Sequence, residues 1–251
     1  MVGSMNLSKT ELAVLNNVHW YEAVFAAHEL GFERTGLAWF SHDTPPPYHS
    51  NLVVLSKGAT QSQVEELVRQ VSASAGSRGW SMKDSYANLD LAPLGFSELF
   101  EATWIWSDPV DTGVGNSTAG LTWSRMTSPR DLAEWEAAWA GDSKNQFASE
   151  VRRQFPDQML LDHRYAFLAG KAQGKIVAGG ILNQSPGAVG VSNTFADHGH
   201  IEDLWRSLVQ HAGSEFPGIP LVGYERGTEL QLAQTAGFQS IGALRVWCHG
   251  G

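Results

Sequence analysis

The sequence predicts an α/β (α+β) protein with a mixed central sheet flanked by helices, built as two similar units in tandem. Apolar runs of strand character alternate with stretches of helical period on both sides of the chain's midpoint, the pattern of layered α/β structure. The segment 107–118, rich in Gly, Asp, Ser and Thr with little to bury, separates the two sides as a linker. A Gly-Phe phrase precedes an aromatic-ended strand in each half: Leu94-Gly95-Phe96 before Trp104 and Trp106, and Ala236-Gly237-Phe238 before Trp247. The units are therefore expected at 1–106 and 119–251. The opening Met1-Val2-Gly3-Ser4 before Met5 reads as an expression scar and carries no weight in the fold.

Composition narrows the class. With 251 residues, 43% of them hydrophobic and 17% charged, the chain has enough apolar material for one large core or two modest ones. No run approaches the length of about 20 apolar residues that spans a membrane, and no secretion signal is evident, so a cytoplasmic protein without a membrane partner is expected. The net charge of −9 repels nucleic acid. The one cysteine, Cys248, excludes an internal disulfide and any multi-cysteine metal site, and is expected to pack within a strand. Ten tryptophans serve chiefly as core.

In the first unit, His42-Asp43-Thr44-Pro45-Pro46-Pro47-Tyr48-His49 is stiff and extended, suited either to a rigid connection or to a rim from which Tyr48 meets a substrate. Leu52 to Leu55 reads as a strand. Val64, Leu67, Val68 and Val71 mark a helix, and Ser56-Lys57-Gly58-Ala59-Thr60 before it is a weak anion cradle. Leu30-Gly31-Phe32 repeats the Gly-Phe phrase a third time.

The second unit is clearer. Gly120 to Met126 reads as a strand, and Ser128 caps a helix with Pro129 at its first position. Phe147, Val151 and Phe155 suggest a short helix. Tyr165 to Gly170 and Lys175 to Asn183 form a hairpin around Lys171 to Gly174. Ala188 to Asn193 is a strand leading through a loop into a helix on Ile201, Leu204, Trp205, Leu208 and Ala212. Ile219 to Tyr224 is a strand, Thr228 to Ala236 a helix ended by Gly237, and Leu244 to Cys248 the last strand.

This order, with Lys175-Ile176-Val177-Ala178-Gly179-Gly180, the strand-loop-helix after Ala188, and Ala236-Gly237-Phe238, resembles the GNAT (N-acetyltransferase) superfamily. The resemblance covers 119–251, and the first unit resembles a divergent second copy. It implies acetyl-CoA or another acyl-CoA as cosubstrate and a small-molecule amine or amino-acid-like acceptor; the sequence leaves monomer and homodimer both open. It also implies donor binding by Val191, Ser192 and Asn193 on a strand, and by Gly199 and His200 at the following helix N-terminus. There, free amides and the helix dipole favour a pyrophosphate. The family's Arg/Gln-x-x-Gly-x-Gly/Ala loop stands here as Ala196-Asp197-His198-Gly199-His200-Ile201, which keeps only Gly199. Asp197, Glu202 and Asp203 put carboxylates where the pyrophosphate would sit, as though the chain capped its own helix. The family's Asn, Ala and acid Tyr fall on Arg226, Glu229 and Ala233, so its usual acid is missing.

Replacements are available at the end of the Ile219 strand, where ligands meet open α/β sheets. Glu225 with a raised pKa suits a general base and Tyr224 an acid, while Arg226 suits a phosphate or carboxylate of the substrate; a solvated turn is the other reading of these three. Ser192 and Asn193 either meet a substrate amide or cap the next turn. Asp197, His198 and His200 lack a second cluster at metal spacing, so no metal is expected. The expected function is N-acyl transfer. The alternatives are a GNAT-like binding protein without catalysis, favoured by the altered loop, and transfer from an aminoacyl-tRNA, which the charge disfavours.

Overall fold

Residues 7–75, 79–109, 120–141 and 153–250 are described by the computed structural model. Helix α1 (Lys9–Ala27) opens this part of the chain, fixed by a capping box in which Ser8 and Glu11 exchange hydrogen bonds. Its buried residues, Ala13, Val14, Asn16, Val18, Trp20, Tyr21, Val24 and Phe25, spread over more than half of the circumference at 3.6 residues per turn. Such a helix shows no narrow apolar stripe, which is why no helix is expected there from periodicity.

Strands β1 (Glu33–Arg34), β2 (Ala38–Phe40), β3 (Leu52–Val54), β4 (Trp80–Asp84), β5 (Phe96–Ser107), β6 (Thr122–Arg125), β7 (Tyr165–Ala172), β8 (Lys175–Ser185), β9 (Ala188–Ala196), β10 (Leu221–Glu225) and β11 (Gln239–His249) form one mixed sheet. Its 11 strands run β1-β2-β3-β4-β11-β5-β10-β9-β8-β7-β6. The central strands cross between the halves. β5, from the first half, lies antiparallel between β10 and β11, paired from Leu221↔Ser107 to Glu225↔Thr103 on one side and from Gln239↔Trp106 to His249↔Phe96 on the other. β11 in turn pairs with β4. Each half thus completes its ladder with a strand of the other, and the Gly-Phe phrases feed the two strands exchanged. Gly95 (φ 82°) closes a short 3-10 turn before β5, and Gly237 (φ 103°) follows helix α5 (Gly227–Thr235) before β11. Gly31 also lies between a helix and a strand, α1 and β1, but it is not left-handed and β1 is an edge strand; its N–H donates to Asp43 Oδ2 at 2.7 Å.

One face of the sheet carries α1 and helix α3 (Pro129–Ala140), the other helices α4 (Ile201–Glu215) and α5. Helix α2 (Gln61–Ala75) packs on Ala38, Phe40, Leu52 and Val54, while α1 takes the alternate residues Trp39 and Val53, the two-residue period of a strand buried on both faces. α1 also lies against β5, β8, β9 and β10, so it ties the halves together on one side. Ser128 accepts from the Asp131 N–H, as its capping role requires. The β7–β8 turn is narrower than expected, with Gln173 (φ 50°) and Gly174 (φ 80°) both left-handed as a two-residue hairpin demands. Trp39, Trp104, Trp135 and Trp205 are core, and Cys248 sits half-buried within β11. Residues 110–118 of the expected linker and 147–152 of the expected short helix lie outside the described residues; 153–155 are not helical.

Candidate active site

β9 and β10 run parallel and pair only at Leu221↔Val189 and Val222↔Gly190. Beyond these positions β10 continues with β5 and β9 with β8, where the register shifts between Gly179 and Ile181 and Asn193 takes φ 51°. The two strands therefore part, leaving backbone edges without a neighbouring strand. α1 crosses the same face as a roof. Between them is a cavity of about 300 Å³, lined by Asn16, Asn17 and Tyr21 of α1, by 191–194 of β9 and by 222–225 of β10.

Val191, Ser192, Asn193, Tyr224 and Glu225 all line this cavity. Tyr48 joins them from the proline segment, 76% exposed and edge-on to Trp139 at 5.4 Å, so that segment supplies the rim. Arg226 does not line it: the residue caps α5 and its guanidinium lies over the Phe100 ring at 4.8 Å. Gly199 and His200 lie apart from the cavity at the start of α4. Among the described residues no side chain caps that helix, contrary to the self-capping its sequence suggests, although the His200 N–H is held by Asp197 O at 2.8 Å. Among the described residues, its two chain neighbours aside, no atom lies within 4 Å of where a Cβ on Gly199 would stand, so Gly199→Ala should leave thermal stability within about 0.5 kcal/mol of the parent in a melt. The cradle expected at Lys57-Gly58 is closed by its own chain. The Gly58 N–H donates to Ser56 Oγ at 3.2 Å, and Thr60 and Gln63 cap each other.

α1 and β4 supply groups that sequence reading does not single out. The Asn16-Asn17 pair, polar within a largely apolar run, is the one local signal. Asn16 Nδ2 donates to Asn183 O at 3.0 Å and Ser185 Oγ at 2.8 Å, and Asn183 Nδ2 returns a bond to Asn16 Oδ1 at 3.1 Å, fixing α1 to the β8–β9 edge. Lys83, 1% exposed on β4, donates to Asn17 Oδ1 at 2.8 Å and lies over the rings of Tyr224 at 4.3 Å and Tyr21 at 5.0 Å.

These surroundings tune the titrating groups. Burial, reinforced by Glu229 and opposed by a hydrogen bond with Thr194, pushes Glu225 up to about 8. Burial works against the Lys83 ammonium, but the two neighbouring phenols outweigh it and hold lysine above its usual range. At Tyr224 the Lys83 charge favours ionisation, whereas burial, Tyr21 and Glu225 oppose it and keep the phenol protonated beyond its ordinary range. His49, packed edge-on to Tyr21 at 4.7 Å, is driven down to about 4, mainly by burial. It is therefore neutral in the native state while the unfolded chain protonates near 6.5, so stability should fall as pH drops from 6.5 to about 4. At about 1.4 kcal/mol per pKa unit this amounts to roughly 3 kcal/mol, measurable as a weaker acid dependence of unfolding in His49→Gln.

Among the described residues no cluster of three or more His, Cys, Asp or Glu could hold a metal ion, and no helix is long and apolar enough to cross a membrane. No family model matches the sequence, and no curated protein does. Solved structures match it over nearly its whole length. A GCN5-related N-acetyltransferase from Kribbella flavida is 14% identical with a TM-score of 0.66, covering 98% of this chain and 97% of that one. A functionally unknown conserved protein from Staphylococcus epidermidis is 10% identical with a TM-score of 0.60, covering 89% and 95%. A tandem GNAT protein from the clavulanic acid biosynthesis pathway is 13% identical with a TM-score of 0.53, covering 97% and 96%.

Proposed function

We propose, from the GNAT fold that these likenesses establish over the chain, that this protein transfers an acyl group from acyl-CoA to a small amine or amino-acid-like acceptor. The observation that carries the reading is the meeting of Ser192, Asn193, Tyr224 and Glu225 in one cavity where β9 and β10 part. The thioester supplies an activated acyl group. The separated strand edges offer free amides and carbonyls to an acyl-pantetheine arm, with Val191, Ser192 and Asn193 alongside. The diphosphate end is less well served: Gly199 leaves room at the uncapped α4 start, but Glu202 and Asp203 stand in its first turn.

Glu225 takes the proton of the attacking amine. A carboxyl with a pKa of about 8 is matched to amine deprotonation in mildly alkaline solution. Tyr224, protonated in this range, gives its proton to the departing thiolate, and the adjacent Lys83 ammonium stabilises the phenolate left behind. Tyr224→Phe should lower turnover by about 10²-fold with acetyl-CoA affinity unchanged, since proton transfer is lost and packing kept. Calorimetric titration with acetyl-CoA to millimolar concentration tests the donor; no heat and no thermal shift would sink the proposal.

The carboxylates at α4 favour a second reading, a GNAT-fold protein that binds a small ligand in this cavity without catalysis. Turnover that vanishes in Glu225→Gln would exclude it.

A further inference from the structure

Lys83 is the group the reaction scheme uses least and the fold spends most on. It is a fully buried lysine reaching from β4 of the first half to the cavity wall of the second. A buried ammonium is costly unless an anion or several acceptors compensate it. Its closest hydrogen-bond partner is the neutral Asn17, and the Tyr21 and Tyr224 hydroxyls that also face it are acceptors without a full charge. The adjacent Asp84 is turned to other work, accepting from the Tyr86 N–H at 3.2 Å and the Leu89 N–H at 2.9 Å. Glu225 is mostly uncharged at pH 7, and His49 is neutral there. At neutral pH the cavity therefore has a cation behind its wall and little compensating negative charge.

The wall in front of that cation is made of donors. Because Asn17 turns Oδ1 to Lys83, its Nδ2 faces away from the ammonium, and it has no acceptor among the described residues. Tyr21 Oη accepts from the Ser50 N–H at 3.2 Å, which leaves its own O–H to donate. Both residues line the cavity. Two donors backed by an ammonium, between aromatic rings, match a carboxylate.

We propose that the cavity selects an acceptor carrying a carboxylate, bound by Asn17 Nδ2 and the Tyr21 hydroxyl with the Lys83 charge behind them. The word acceptor rests on the transferase reading; the carboxylate site does not. Lys83 acts through Asn17 and Tyr21 as a positioning and selectivity residue.

The test is calorimetric titration of the full chain, without acyl-CoA and at fixed ionic strength, with butyrate and L-leucine, each against its own carboxamide. The carboxylates are expected to bind at least 10-fold more tightly. In Lys83→Met that preference should disappear. Asn17→Asp places a carboxylate on Lys83 from within, and should abolish the preference while raising the melting temperature; it decides the matter if Lys83→Met does not fold. Equal binding of carboxylate and carboxamide, no saturable carboxylate binding, or a preference that survives in a folded Lys83→Met or in Asn17→Asp would overturn the proposal. Carboxylate selectivity in a protein that fails to bind acetyl-CoA would instead sink the transferase reading and leave this one standing.

Discussion

Glu225→Gln is expected to cut acyl transfer by about 10² to 10⁴-fold and, at the same time, to make the protein more stable in alkaline solution. The two effects share one cause. Burial at the open end of β10 holds the Glu225 carboxyl up to about 8, against 4.5 for the free group. The folded state thus binds this proton more tightly than the unfolded state. The stabilisation is fully present below pH 4.5, declines as pH rises, and is lost above about 8. At about 1.4 kcal/mol per unit the swing is roughly 4 to 5 kcal/mol, large beside the usual 5 to 15 kcal/mol of a whole domain. Gln keeps the shape and cannot ionise, so its melting temperature should lack the fall that the parent shows between pH 4.5 and about 8. The parent's transfer rate should rise with an apparent pKa near 8. A Glu225→Gln protein with parental turnover would remove Glu225 from the reaction, and a parallel pair of melting curves would refute its burial as an acid. His49 acts in the opposite direction from 6.5 down to about 4, so the windows overlap in mild acid and each variant is needed to isolate its own share.

Gly190→Ala is expected to be the most damaging small change near the cavity, at about 3 kcal/mol or more. Gly190 faces Asn183 across the β8–β9 ladder, and a Cβ there would run into both Asn183 Oδ1 and Asn16 Oδ1. These atoms belong to the buried amide pair that fixes α1 over the sheet. Neither amide can withdraw without breaking the hydrogen bonds of the pair, so overpacking and lost polar pairing add. For a chain of this size the melting temperature should drop by roughly 6 to 12 °C. Ligand binding in the cavity should weaken as well, because the roof is displaced. A Gly190→Ala protein that melts with the parent would mean α1 is not held by this pair. Gly199→Ala, in open space, is the control.

Much of the second half is legible locally. Ser128 and Pro129 mark a helix start, Gln173-Gly174 a tight hairpin and Gly237 a helix end, each through backbone preferences spanning a few residues. Glu225 and Tyr224 could be picked out because a strand end in an α/β sheet is a general place for ligands. The helix α1 could not, because a helix buried over half its girth lacks the stripe that periodicity detects. Arg226 is a charge that sequence reading directs to a ligand and the structure places over Phe100.

By itself, then, the sequence determined the kind and order of the elements from Tyr165 on, the resemblance to the GNAT fold, and the alteration of the α4 loop, since all of these reside in short stretches of chain. Only the tertiary structure decided that β5 enters between β10 and β11, that α1 roofs the opening of β9 and β10, and that Lys83 reaches Tyr224 from the other half. Strand exchange and the burial of a charge depend on contacts between residues far apart in the chain. Local backbone preference and side-chain period carry no record of which distant partner a strand or an ammonium will meet.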